Sequence, residues 1–179
     1  TDISWLTELV RLSRNDDGPL RAIRLLKEHG IAVAVVSAVP GTGLDGAAFL
    51  ERGVPVIALT LRYDRTDYFW FTLLHELGHV FLHLHDDLAG GFFDDFENES
   101  LDSLEQEAND FAASVIVPPE LWRLSPARIA KTSDAVEQLA RKLDINSALI
   151  FGKIRRERND YKVFSKEVGQ GAVRKLFGL

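Results

Sequence analysis

The chain has no cysteine and no methionine. Without thiols it can form neither a disulfide nor a thiolate metal site. Long hydrophobic runs are also missing. The longest apolar block, YFWFTLL at 68–74, falls far short of the roughly 20 residues a membrane-spanning helix needs, and no signal peptide opens the chain. A cytoplasmic, non-membrane protein is the default expectation. Since even residue 1 is not methionine, further sequence is expected to precede Thr1. What remains is 179 residues, 46% apolar and 27% charged, enough for one globular core or a core with a small appendage.

Positive charge is scarce over most of the length. Residues 1–120 hold 8 Lys/Arg against 21 Asp/Glu, whereas residues 121–179 hold 13 against 6. The two parts can pair with each other, or the basic tail can await an acidic partner. Overall acidity argues against the whole chain coating nucleic acid.

The local patterns predict an α+β protein. ISWLTELVRLS (3–13) has helical spacing, and PLRAIRLLKEHG (19–30) begins with proline and stops at glycine, as helices do. IAVAVVSAV (31–39) reads as a strand buried on both faces. AAFL and VPVIALTLRY flank ERG and read as a hairpin, whose second strand could lie at a sheet edge and hold an extended peptide. TDYFWFTLLHELGHVFLHL (66–84) is apolar nearly all round, so it should run through the core, with Thr66 or Asp67 as N-cap. The acidic, glycine-punctuated 86–102 reads as a loop. A second helix covers 103–117 and ends at Pro118-Pro119, and a helical hairpin is expected at 134–157. A metal-binding core at 1–124 and a basic helical C-terminal subdomain at 125–179 follow.

Chemistry concentrates in HELGHVFLHLH (75–85), which holds four of the five histidines. His75 and His79 are one turn apart and leave the same helix face, so both can reach one ion. Glu76, about 100° round from His75, can reach a water at that ion without being a ligand. This is the H-E-x-x-H arrangement of zinc peptidases, in which the glutamate is the general base. A structural role alone would need no such base.

The third ligand sets the class. His83 lies about 12 Å along the axis from His75, too far to share an ion with ligand distances of about 2.0–2.1 Å. His85 matches H-E-x-x-H-x-x-G-x-x-H, but Leu82 stands where that pattern needs its helix-breaking glycine, and its later methionine turn is impossible here. Glu107, on the following helix, is the favoured third ligand. Glu105 is its rival, and the two point to different sides. Asp110 shares a face with Glu107 and could orient a histidine or simply face solvent. Tyr63, Tyr68 and Arg62 are the nearest candidates for stabilising an oxyanion. His83 is expected to pack or hydrogen-bond locally at the helix end, and His85 to mark the start of the acidic loop.

FTLLHELGHVFLH followed by EANDFAASVIVP resembles the ImmA/IrrE zinc metallopeptidases, whose pattern is an H-E-x-G-H helix and then an E-A-N-x-F-A-A helix ending in proline. The resemblance covers most of residues 20–120. It implies a small gluzincin-like fold, with a short, twisted, mainly antiparallel sheet packed on the active-site helix. It puts the metal ligands on His75, His79 and Glu107 and the catalytic glutamate on Glu76. The implied cofactor is Zn2+, with Mn2+ also accommodated by such a set. The implied activity is site-specific endopeptidase cleavage of a helix-turn-helix transcriptional repressor, in stress response, mobile-element or toxin–antitoxin regulation of bacteria. VIVPPE departs from the family's usual Leu and Met before the proline without touching the site. Residues 135–157 and 168–178 resemble the tail of members with an Xre-type helix-turn-helix domain upstream.

Two other functions compete. One is a non-catalytic metal-binding regulatory module of an antitoxin-like transcription regulator. The other is DNA binding through 134–157 and the basic KIRRER, where a packed hairpin is the commoner explanation. The expected partner is therefore a protein substrate, with neither membrane nor direct nucleic-acid contact and with a homodimer admissible.

Overall fold

The computed structural model describes residues 4–38, 41, 43–84 and 98–179, with the side chains of 98–101 left aside. The expected loop at 86–102 lies largely outside them, as does His85. Helices α1 (Leu6–Arg11) and α2 (Gly18–Glu28) lead into strand β1 (Ala32–Val35), then β2 (Gly46–Glu51) and β3 (Val54–Leu59). Helix α3 (Thr66–Leu82) follows, then α4 (Asn98–Ile116), α5 (Pro119–Leu124), α6 (Asp134–Leu143) and α7 (Ser147–Glu157). Among the described residues no helix is long and apolar enough to cross a membrane.

The sheet has the order β1-β3-β2. β2 and β3 form the expected hairpin, antiparallel from Gly46↔Leu59 to Glu51↔Val54, while β1 pairs parallel with β3. Arg52 and Gly53, both at positive φ (52° and 79°), make the two-residue turn that matches strand twist. Two sequence expectations change here. β1 is an edge strand whose residues alternate exposed and half-buried, so it is not buried on both faces. β3 is the central strand, so it has no free edge for a peptide. Among the described residues the sheet edge beside the site is β2.

α3 is the axis of the core. Phe69, Trp70, Leu73, Leu74 and Leu77 are essentially inaccessible, packed with Ile57 and Leu59 of β3, Ile116 of α4 and Leu149, Ile150 and Phe151 of α7. Burying each such side chain contributes about 1.5–3 kcal/mol. Neither Thr66 nor Asp67 caps this helix. Arg65 is the N-cap residue, and the carbonyls of Gly169 and Val168 in the C-terminal tail accept from the Thr66 and Asp67 amides (3.0 and 3.3 Å). Asp67 is instead buried and receives a bidentate pair from Arg65 (2.9 and 2.6 Å). The basic C-terminal part is thus bound to the site helix through both α7 and the tail. Most of α7, from Ala148 to Arg155, is buried, leaving little of it to enter a DNA groove.

Candidate metal centre

α4 approaches α3 closely because of small residues. A Cβ on Gly78 would lie 3.1 Å from Ala108 Cα and 3.2 Å from the Phe111 ring. Ala108 and Ala112, both fully buried, form the α4 stripe facing α3. That stripe sets the helical phase. Glu105, three residues before Ala108, shares its face, and Asn109 lies one turn after Glu105.

The consequence is a three-donor cluster of His75, His79 and Glu105. His75 Nε2 lies 3.1 Å from His79 Nε2 and 3.1 Å from Glu105 Oε2, and His79 Nε2 lies 3.3 Å from Glu105 Oε1. Donors bonded to one tetrahedral ion at about 2.0–2.1 Å are separated by about 3.3 Å, and one donor atom from each of the three residues lies within 4.8 Å of the others, close enough to converge on such an ion. Glu105, the rival of the favoured Glu107, is thus the carboxylate of this cluster. Glu107 does not face the paired imidazoles but meets His83 Nε2 at 3.3 Å. Being two residues on, it is turned about 200° from Glu105.

Both imidazoles are oriented from behind. Asn109 Oδ1 lies 3.0 Å from His75 Nδ1, accepting its proton when His75 leaves Nε2 bare towards the cluster. Asn109 was not anticipated. Asp110, the sequence candidate for that role, instead receives the Gln106 amide at its carboxylate (3.0 Å). The readable signal was Asn109's place one turn after Glu105. His79 Nδ1 lies 2.9 Å from His83 Nδ1, so the local hydrogen bond expected of His83 is present. Burial, then the neighbouring His75, push His79 down to about 4 against the upward pull of Glu105, so its ring is neutral near pH 7.

Glu76, 6% exposed, points to the other side of the pair, against the start of β2. A Cβ on Gly46 would stand 2.5 Å from Glu76 Oε1, so only glycine admits the carboxyl there. Burial, then the charges of Glu105 and Asp45, push Glu76 up to about 8. His75, Glu76, His79 and Glu105 line one cleft of about 790 Å³, with Gly46, Ala47 and Ala48 of β2 along one wall. Of the oxyanion candidates, Tyr63 and Tyr68 line it, packed edge to face at 4.7 Å. Tyr68 donates to Asp45 Oδ2, and burial with that hydrogen bond raises its pKa, so it remains a phenol. Arg62 is not among the lining residues and donates to Gly43 O (2.8 Å).

This architecture is that of a small α+β metallopeptidase domain. Residues 26–147 match the peptidase M78 family, described as the IrrE N-terminal-like domain. The chain belongs to that family. Two relatives are radiation response metalloproteases IrrE. The protein of Deinococcus deserti is 32% identical over 120 residues, covering 66% of this chain and 42% of the relative. That of Deinococcus radiodurans is 30% identical over 124 residues, covering 64% and 37%. The chain thus matches less than half the length of either.

Proposed function

We propose that this chain is a metal-dependent endopeptidase in which His75, His79 and Glu105 hold a divalent cation and Glu76 moves the proton. The observation that carries the reading is the three donors at ion-holding separations beside a buried carboxyl of raised proton affinity. Two imidazoles and one carboxylate suit zinc, and manganese also accepts the set. When bound, such an ion supplies a Lewis acid for a peptide carbonyl and acidifies water.

The remaining work falls to the chain's own residues. Glu76 accepts a proton from the attacking water and returns it to the departing amine. A cation beside Glu76 would favour its ionised form, which takes the proton, and the burial that raises its proton affinity helps it hold that proton until the amine departs. Asn109 fixes the tautomer of His75. The edge of β2 offers backbone groups to an extended substrate beside these residues, with alanines 47 and 48 leaving room for it. Tyr68, held as a donor, is placed to help a developing oxyanion once a substrate competes for its hydrogen bond.

The substrate class is a helix-turn-helix repressor. This rests on the resemblance of HELGH and EANDFAA to the ImmA/IrrE metallopeptidases. The test has two measurements. Elemental analysis of protein purified without added metal should find about one zinc per chain, lost in Glu105→Ala and kept in Glu76→Gln. Incubation with repressors encoded beside its gene should give a single cut with the parent chain and none with Glu76→Gln. Full metal content in Glu105→Ala, or cleavage surviving Glu76→Gln, refutes the assignment.

A further inference from the structure

The paired imidazoles continue into a third ring and a second carboxylate. His83 is one turn beyond His79, with its side chain 3% exposed. Its Nδ1 faces His79 Nδ1 at 2.9 Å and its Nε2 faces Glu107 Oε2 at 3.3 Å. The ring centroids of His79 and His83 are 5.0 Å apart.

Two nitrogens at hydrogen-bond distance need one proton between them. His79 turns Nε2 towards His75 and Glu105, and presents a lone pair there only if its proton is on Nδ1. His83 Nδ1 must then accept, which puts the His83 proton on Nε2, the atom facing Glu107. One arrangement of protons therefore satisfies these three contacts together, and the carboxylate anchors it. His75, whose neighbour one turn back is the apolar Phe71, reaches the same state through Asn109.

We propose that His83 and Glu107 are positioning residues, a two-member relay that fixes the tautomer of His79 and strengthens its Nε2 as a metal donor. The proposal rests on the reading of His75, His79 and Glu105 as the metal site. It gives Glu107 a role although it is not a ligand. It also explains why the helix spends a third histidine on a buried position where an apolar residue would pack. Hydrogen-bonded partners behind a ligating histidine set its orientation and basicity, and their loss costs about 10–100-fold in metal affinity.

The test is zinc affinity, measured by competition with a chelating dye, in the parent chain and in His83→Phe, Glu107→Leu, Glu107→Gln and Glu105→Ala. A second readout is the visible spectrum of the Co2+-loaded proteins, and a third is the melting temperature without metal. The expected result is weakening by about 10–100-fold in His83→Phe and Glu107→Leu, each with an altered Co2+ band, and recovery of most of the affinity in Glu107→Gln, which keeps an acceptor. If the parent binds zinc, Glu105→Ala does not, and both relay variants bind like the parent with its spectrum, the relay is overturned and the metal site stands. A change confined to the metal-free melting temperature overturns it equally, showing His83 to be packing. If the parent fails to bind zinc, or Glu105→Ala binds as well, the metal-site reading falls and the relay with it. Should His83→Phe not fold, the Glu107 pair decides alone, because that side chain is 56% exposed and tolerates replacement.

Discussion

Replacing Glu76 with glutamine should stabilise the metal-free protein, increasingly so as pH rises. Folding moves this carboxyl from an ordinary value of 4.5 to about 8, chiefly by burial and then by the charges of Glu105 and Asp45. Between these values the unfolded chain has released a proton that the folded chain still holds. A raised folded value therefore gives stability that is intact below about 4.5 and is lost as pH climbs through 8. Each unit in that window costs about 1.4 kcal/mol. The gap opened by pH 8 is on the order of 4 kcal/mol, and at pH 5 it is under about 1 kcal/mol. Glutamine has the same shape and no charge to bury, so its stability should not fall across the window for this reason. Urea unfolding of both proteins, stripped with a chelator, at pH 5, 6.5 and 8 measures the difference directly. Glu76→Gln should gain on the parent at each step. Zinc should narrow the gap, because a cation beside Glu76 favours its ionised form. Parallel stability profiles would refute the argument, since Glu76 would then titrate alike in both states.

Three further substitutions probe the supports of the site. Gly46→Ala brings a methyl within 2.5–2.9 Å of the Glu76 carboxyl and its stem, so peptide cleavage should slow at least about tenfold with zinc content unchanged; undiminished turnover would deny the close approach. Gly78→Val drives a branched side chain against the α4 backbone at Ala108, and should cost about 1–3 kcal/mol in chemical denaturation while weakening zinc binding, because Glu105 rides on α4. An unaltered zinc affinity there would show that the helix spacing does not set the donor geometry. Arg65→Met leaves Asp67, 1% exposed, without its bidentate partner and should cost about 3 kcal/mol; a loss below about 1 kcal/mol would show the pair to be dispensable.

Local signals in the sequence carried the elements that the site depends on, and non-local ones escaped. The site helix was legible because its apolar run and the His75–His79 spacing both have the helical period. The hairpin was legible because Arg-Gly suits its turn. The rank of a strand within its sheet was not. A β-branched run looks the same at the edge and in the centre, so β1 seemed doubly buried and β3 seemed free. The cap of α3 was unreadable in principle, being supplied by carbonyls about a hundred residues away.

The choice between Glu105 and Glu107 lies between these cases. Both are glutamates on the right helix, and a motif alone favours the one adjoining Ala108 and Asn109. What separates them is phase, and phase was available: Ala108 and Ala112 are small and four apart, as a helix needs where it passes a glycine on its neighbour. Extending that stripe back one turn reaches Glu105, while Glu107 falls beside it, within reach of the next histidine along α3. The four clustered histidines then divide by geometry. Two converge on the cleft, a third stands behind them against Glu107, and His85 lies beyond the described residues. A helix that places rings every fourth residue cannot bring three to one ion. It can line them up so that each fixes the proton of the one before, and the spacing 75, 79, 83 has that consequence.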